Sequence, residues 1–142
     1  MKLQSADFAA GGTIPKTFMA GDCGGSNRPP SLRWSAAPAG TKSFALVLRD
    51  PDAPIPGGFN HWVVYDIAAA ATSLGPALPA GAREGLRSTG KSGYYGPCPP
   101  PGPAHHYIFT LYALDVGQIA AAVPTAAQLA AKMQGHVLAR AT

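Results

Sequence analysis

The chain has 142 residues, 46% of them hydrophobic and only 13% charged, with 17 glycines, 15 prolines and a formal net charge of +4. That length fits one domain, residues 1–142, with a modest core. Glycine and proline together stand at nearly double their usual combined share of about 12%, which excludes a long helical bundle, while the apolar fraction excludes disorder. What remains is a loop-rich, mainly β domain. The eleven basic residues are scattered, and no basic run or basic–aromatic interleaving points to nucleic acid.

At the start of the chain, Met1 to Ala10 lack an apolar run of signal-peptide length. No stretch is long enough to be an integral membrane segment. The expected location is cytoplasmic, with a periplasmic or secreted location as the alternative if a signal peptide has been removed. Weak strands are predicted at Leu3–Phe8 and Leu32–Trp34. Three stronger ones, Phe44–Arg49, Trp62–Ile67 and Tyr107–Leu114, are near-continuous apolar runs bounded by turn residues. Continuous apolarity implies that both faces of each strand are covered. Between Ala68 and Pro103 the chain is rich in Ala, Gly and Pro and is predicted as loop. After Pro124, Thr125 is placed to cap a helix whose apolar face carries Leu129, Met133 and Val137, with Gly135 as a weak point. One X-Pro bond in Asp50–Pro54 is expected to be cis.

The chemistry gathers at strand ends. The first strong strand ends at Asp50, followed by Pro51-Asp52-Ala53-Pro54, and the second opens at His61. Antiparallel pairing sets the end of one beside the start of the other. If the third strand pairs on the opposite side of the first, His105 reaches the same rim. Upstream of it, Gly93 to Gly102 holds Tyr94, Tyr95 and a run of prolines, a stiff apolar wall. Two histidines, two carboxylates and tyrosines at one rim make a small concave ligand site. Taken singly, each of these residues reads as an ordinary strand-end or turn residue; the joint placement carries the argument. Cys23 and Cys98 read equally as two free thiols or one disulfide, and Cys98 activated by His105 or His61 is a further option. Two His and two Asp would also suit a metal-dependent hydrolase, although no His-Glu-x-x-His spacing supports it. Gly85 to Ser92 matches the phosphate-loop pattern G-x-x-x-x-G-K-[ST] letter for letter. It lacks the preceding buried strand and following helix that the motif needs, so it reads as a chance match.

Together, Asp50-Pro51-Asp52-Ala53-Pro54, His61 to Ile67, Gly93-Tyr94 with Gly96-Pro97-Cys98-Pro99-Pro100, and His105 to Asp115 resemble the phosphatidylethanolamine-binding protein family, in its bacterial and archaeal Raf kinase inhibitor-like branch. The resemblance implies a β-sandwich with a large antiparallel sheet and a short C-terminal helix. It implies a pocket for phosphate or phosphorylated head groups at Asp50, Asp52, His61, Pro99, Pro100, His105 and Tyr107. It implies no catalytic activity and no cofactor. Partners would be a small anionic ligand and a protein such as a kinase or serine protease. An interaction module whose pocket is only regulatory is the alternative, and a homodimer is compatible with the sequence. A cysteine pair like Cys23 and Cys98 is common in that branch, which favours the disulfide. Against the family pattern, Leu86-Arg87-Ser88-Thr89 and Pro29-Pro30 are departures. The closing strand usual after the helix is expected to be missing, with Met133 to Ala139 read as helix. Imidazolium from His61 or His105, the Tyr107 hydroxyl and loop backbone N–H groups are the expected donors to an oxyanion. Asp50 and Asp52 would then serve by accepting backbone N–H bonds or by holding a histidine.

Overall fold

The computed structural model describes residues 1–119 and 122–142. Strands β1 (Lys2–Ser5), β2 (Leu32–Ser35) and β5 (Ser73–Leu74) form a small antiparallel sheet in the order β1-β2-β5. Strands β3 (Ser43–Asp50), β4 (Phe59–Ala68), β6 (Arg83–Glu84), β7 (Ile108–Leu114) and β8 (Val137–Ala141) form a larger one in the order β6-β4-β3-β7-β8, also antiparallel. The helix α1 (Ala126–Met133) precedes β8. The protein is therefore mainly β, with two antiparallel sheets and one short helix near the C-terminus.

The strong apolar runs are the middle of the large sheet, and both of their faces are covered. Phe44, Leu46 and Leu48 of β3, with Trp62 and Val64 of β4, pack against Leu32 and Trp34 of the small sheet. The alternate residues Ala45, Val63 and Tyr65 pack with Leu129 and Met133 of α1 on the other face. Alternation slips twice along β4: at His61, where Leu48 pairs with Trp62 but Arg49 with Asn60, and again near Ile67. Phe44 pairs with Ile67 but Leu46 with Val64, so β4 carries an extra residue there. Asp66 sits in that bulge at φ +53°, and its Oδ1 accepts the Ile119 N–H at 2.9 Å. Ile67 thus returns to the inter-sheet face.

Four expectations are corrected. The helix ends at Met133, and Val137 is an exposed residue of β8 rather than part of the helical face. Gly135, at φ +84°, turns the chain out of the helix. A closing strand is present after the helix, because Leu111–Leu114 pair with Val137–Ala141. The bonds in Asp50–Pro54 are trans; the cis bond among the described residues is Gly75–Pro76. Within the predicted loop from Ala68 to Pro103, β5 and β6 contribute two residues each. Thr125 does cap α1, in a reciprocal capping box with Gln128.

Candidate ligand site

Register builds the rim. Asp50, the last residue of β3, lies opposite Phe59 at the start of β4, while Arg49 lies opposite Ile108 at the start of β7. The segment His105-His106-Tyr107, just ahead of β7, therefore runs past Asp50. Asp50 is buried, and a buried carboxylate must find donors. Its Oδ2 accepts from His105 Nδ1 at 2.6 Å and its Oδ1 accepts the Asp52 N–H at 2.8 Å. The carboxylate fixes the proton on Nδ1 and sets the direction of the Nε2 edge of His105. Asp52 is exposed, and its Oδ2 accepts both the His106 backbone N–H and His106 Nδ1, each at 2.7 Å. The backbone N–H, then the imidazole, hold the Asp52 carboxyl below its usual range.

His61, on β4, is buried. Its Nδ1 donates to the Tyr95 carbonyl at 2.7 Å. Its ring stacks on Tyr95 (centroids 5.7 Å apart, planes 9° apart) and meets Phe59 and Tyr107 edge-on at 4.7 and 5.5 Å. Burial pushes its pKa below the usual histidine value, with the Arg87 charge acting in the same direction; the Tyr95 carbonyl and Asp50 oppose the shift. At neutral pH the ring is accordingly neutral and Nε2 is an acceptor, turning donor only on protonation. The Tyr107 hydroxyl is buried and no protein group satisfies it. Burial first, then the Asp50 and Asp52 charges, push its pKa up to about 12. Asp50, Asp52, His61, His105 and Tyr107 are thus brought together at one corner of the sheet.

The proline wall is tied down from the N-terminal loop. A disulfide joins Cys23 to Cys98, with Cα atoms 5.5 Å apart. Cys98 is therefore not a free nucleophile. The Ala20 N–H donates to the Pro97 carbonyl at 3.0 Å, and the Tyr94 hydroxyl donates to the Phe18 carbonyl at 2.7 Å. Asn27 spans the junction, its Nδ2 donating to the Tyr94 carbonyl and its Oδ1 accepting the Gly96 N–H. Pro99 is half-buried and Pro100 exposed, directly after the tethered cysteine. The loop N–H groups expected as anion donors are in part committed elsewhere: that of Tyr95 goes to the His61 carbonyl and that of Gly96 to Asn27. Asn27 and Arg87 escaped the site reading. Both act on main-chain groups of the wall, and nothing in their local sequence marks that.

The phosphate-loop lookalike is a tight hairpin. Its N–H groups at Gly85, Leu86, Arg87, Ser88 and Gly90 donate to Val63, Pro124, Lys91, Asn60 and Arg87 carbonyls respectively. They form no cradle for phosphate. Among the described residues, no three or more His, Cys, Asp or Glu form a group that could hold a metal ion, which the hydrolase alternative requires. No helix among the described residues is long and apolar enough to cross a membrane.

The profile of the phosphatidylethanolamine-binding protein family matches residues 4–142. The chain belongs to that family. Among relatives of this family member, a UPF0098 protein of Aquifex aeolicus is 41% identical over 150 residues, covering 99% of this chain and 84% of the relative. The crystal structure of Escherichia coli YbcL superposes with a TM-score of 0.91 at 35% identity, covering 99% of this chain and 93% of that one. CT736 of Chlamydia trachomatis superposes at 0.88 with 36% identity, covering 99% and 92%. As a phosphatidylethanolamine-binding protein family member, the chain shares fold and topology with these proteins, and its own side chains must say what its rim can hold.

Proposed function

We propose that this protein binds small oxyanions, phosphate or a phosphorylated head group, at the rim formed by Asp50, His61, His105 and Tyr107, without catalysing a reaction. The observation that carries this is the buried Tyr107 hydroxyl with no protein partner, set against the edge of His61 and beside the Asp50–His105 pair. A buried hydroxyl left unpaired costs on the order of 1–3 kcal/mol, and an anionic oxygen accepting from it would recover that. The two carboxylates do not argue against an anion, since the bonds to His105, His106 and Asp52 use three of their four oxygens. They orient the imidazoles. The non-enzymatic part of the proposal is supported by Cys98, whose sulfur is in a disulfide and is not a free nucleophile.

Titration with inorganic phosphate, followed by NMR, tests the reading. Shifts are expected at His61, His105 and Tyr107 first, and Tyr107→Phe should weaken binding. Shifts confined to other parts of the surface would defeat it. The Cys23–Cys98 disulfide further supports an oxidising compartment as the working location. A thiol count on protein taken directly from cells under denaturing, non-reducing conditions should then find none.

A further inference from the structure

The hairpin from Gly85 to Ser92 leaves one feature that neither phosphate-loop chemistry nor the rim explains. Arg87 lies with its guanidinium carbon 5.4 Å from the centroid of the Tyr95 ring, and the same ring stacks with the imidazole of His61. The guanidinium is also bonded along the wall. Its Nη1 donates to the Ser92, Gly93 and Tyr94 carbonyls at 3.2, 3.2 and 3.4 Å, and its Nε donates to Thr89 Oγ1 at 2.8 Å. Tyr95 in turn holds His61 three ways: by its carbonyl to Nδ1, by its N–H to the His61 carbonyl, and by its ring. The hairpin that carries Arg87 is pinned to the same strand, because Ser88 and Asn60 exchange two bonds. Guanidinium and imidazole thus both meet the Tyr95 ring, and the guanidinium is bonded to the three residues before Tyr95.

We propose that Arg87 is a positioning residue for the ligand rim: it fixes Tyr95 as the plate against which the His61 ring is set, and so determines where Nε2 of His61 points. This rests on the oxyanion reading above for its ligand, but the positioning itself concerns only the protein. A planar fork suits the task better than an ammonium, since it can stack on the phenol while bonding carbonyls in its own plane. Its fixed charge also faces His61, opposed by the Asp50 carboxylate, while Tyr95, Tyr107 and Phe59 supply the uncharged walls.

Two variants separate fork from charge. Arg87→Lys keeps the charge and loses the fork; Arg87→Met loses both. The His61 ring is followed by NMR across pH, and phosphate affinity is measured by calorimetry at pH 5.5. Both variants should lose the close Tyr95–His61 ring contacts and weaken phosphate by roughly fivefold to thirtyfold, the range that the loss of a few such interactions covers. The His61 titration midpoint should rise in both variants as the ring loses cover, and further in Arg87→Met, which also loses the charge. A residue that merely stabilised the fold would not move that midpoint. Unchanged Tyr95–His61 ring contacts in Arg87→Met would overturn the proposal whatever the midpoint does. If wild type shows no phosphate binding, the oxyanion reading falls, and the His61 ring still decides the role of Arg87. Should Arg87→Met fail to fold, Tyr95→Leu removes the ring that meets both groups; a His61 ring position and midpoint identical to wild type in that variant would overturn the proposal equally.

Discussion

Removing the Cys23–Cys98 bridge is the perturbation whose size follows most directly from the fold. The bridge closes a loop of sequence separation 75. Its chief effect is on the unfolded chain, whose loop-closure entropy it removes; for about 75 residues that amounts to about 4.5 kcal/mol at 25 °C. The folded state loses little in exchange. The Tyr94–Phe18 bond, the two Asn27 bonds and the Ala20–Pro97 bond hold the same two loops together without it. A chain of this length has an unfolding entropy near 0.3 kcal/mol/K, so the double variant Cys23→Ser/Cys98→Ser should melt roughly 15 °C lower. Thermal unfolding followed by circular dichroism reads this, with wild type under non-reducing conditions as reference. The near-ultraviolet spectrum of the variant at low temperature should match wild type. A shift of only a degree or two in a protein shown to carry the bridge would refute the reasoning, as would a variant whose aromatic spectrum collapses while it remains folded.

Tyr107→Phe should leave stability unchanged or slightly raised, because the hydroxyl it removes is buried without a partner; a melting temperature several degrees lower would point to a bond that the structure does not contain. In wild type, the Tyr107 phenol should still be protonated at pH 11, since its pKa lies near 12, and an ultraviolet titration of wild type against Tyr107→Phe checks this. Gly96→Ala should be strongly destabilising, since the new Cβ would come 2.2 Å from the Phe18 carbonyl oxygen; a loss of about 1–3 kcal/mol in urea denaturation is expected. Leu129→Ala, at the fully buried contact between α1 and the large sheet, should cost about 2–5 kcal/mol in the same assay.

The central strands were readable in the sequence because of what covers them. Phe44 to Leu48 and Trp62 to Tyr65 are apolar at every position, since one set of side chains meets the small sheet and the other meets α1 and its neighbours. The strand β8 was not readable. Val137 falls eight residues after Leu129, where a helix would also place an apolar residue, and only the positive φ of Gly135 separates the two patterns. The rim could be inferred because strand ends are neighbours by necessity, which brought Asp50, His61 and His105 together from three segments. The parts that hold the rim in shape could not. Asn27 bonds residues 67 and 69 positions away through main-chain atoms, and Arg87 acts through carbonyls and a ring face. Such contacts leave no periodicity. The burial of His61 also changes the expected chemistry: a histidine with the ordinary value near 6.5 is half charged at that pH, whereas this one loses its charge at lower pH.

The central claim is that imidazole edges at this rim bind a small anion. Calorimetric titration with sulfate, whose charge does not change between pH 5 and 8, tests it most directly. The folded His61 has a depressed pKa, so it is neutral at pH 7 and gains its second N–H only as pH falls below the ordinary histidine value. Sulfate affinity should therefore be weak at pH 8 and rise as pH falls below about 6.5. The rise should be lost in His61→Ala. An affinity that is flat from pH 5 to 8, or a rise that His61→Ala retains in full, would contradict the account.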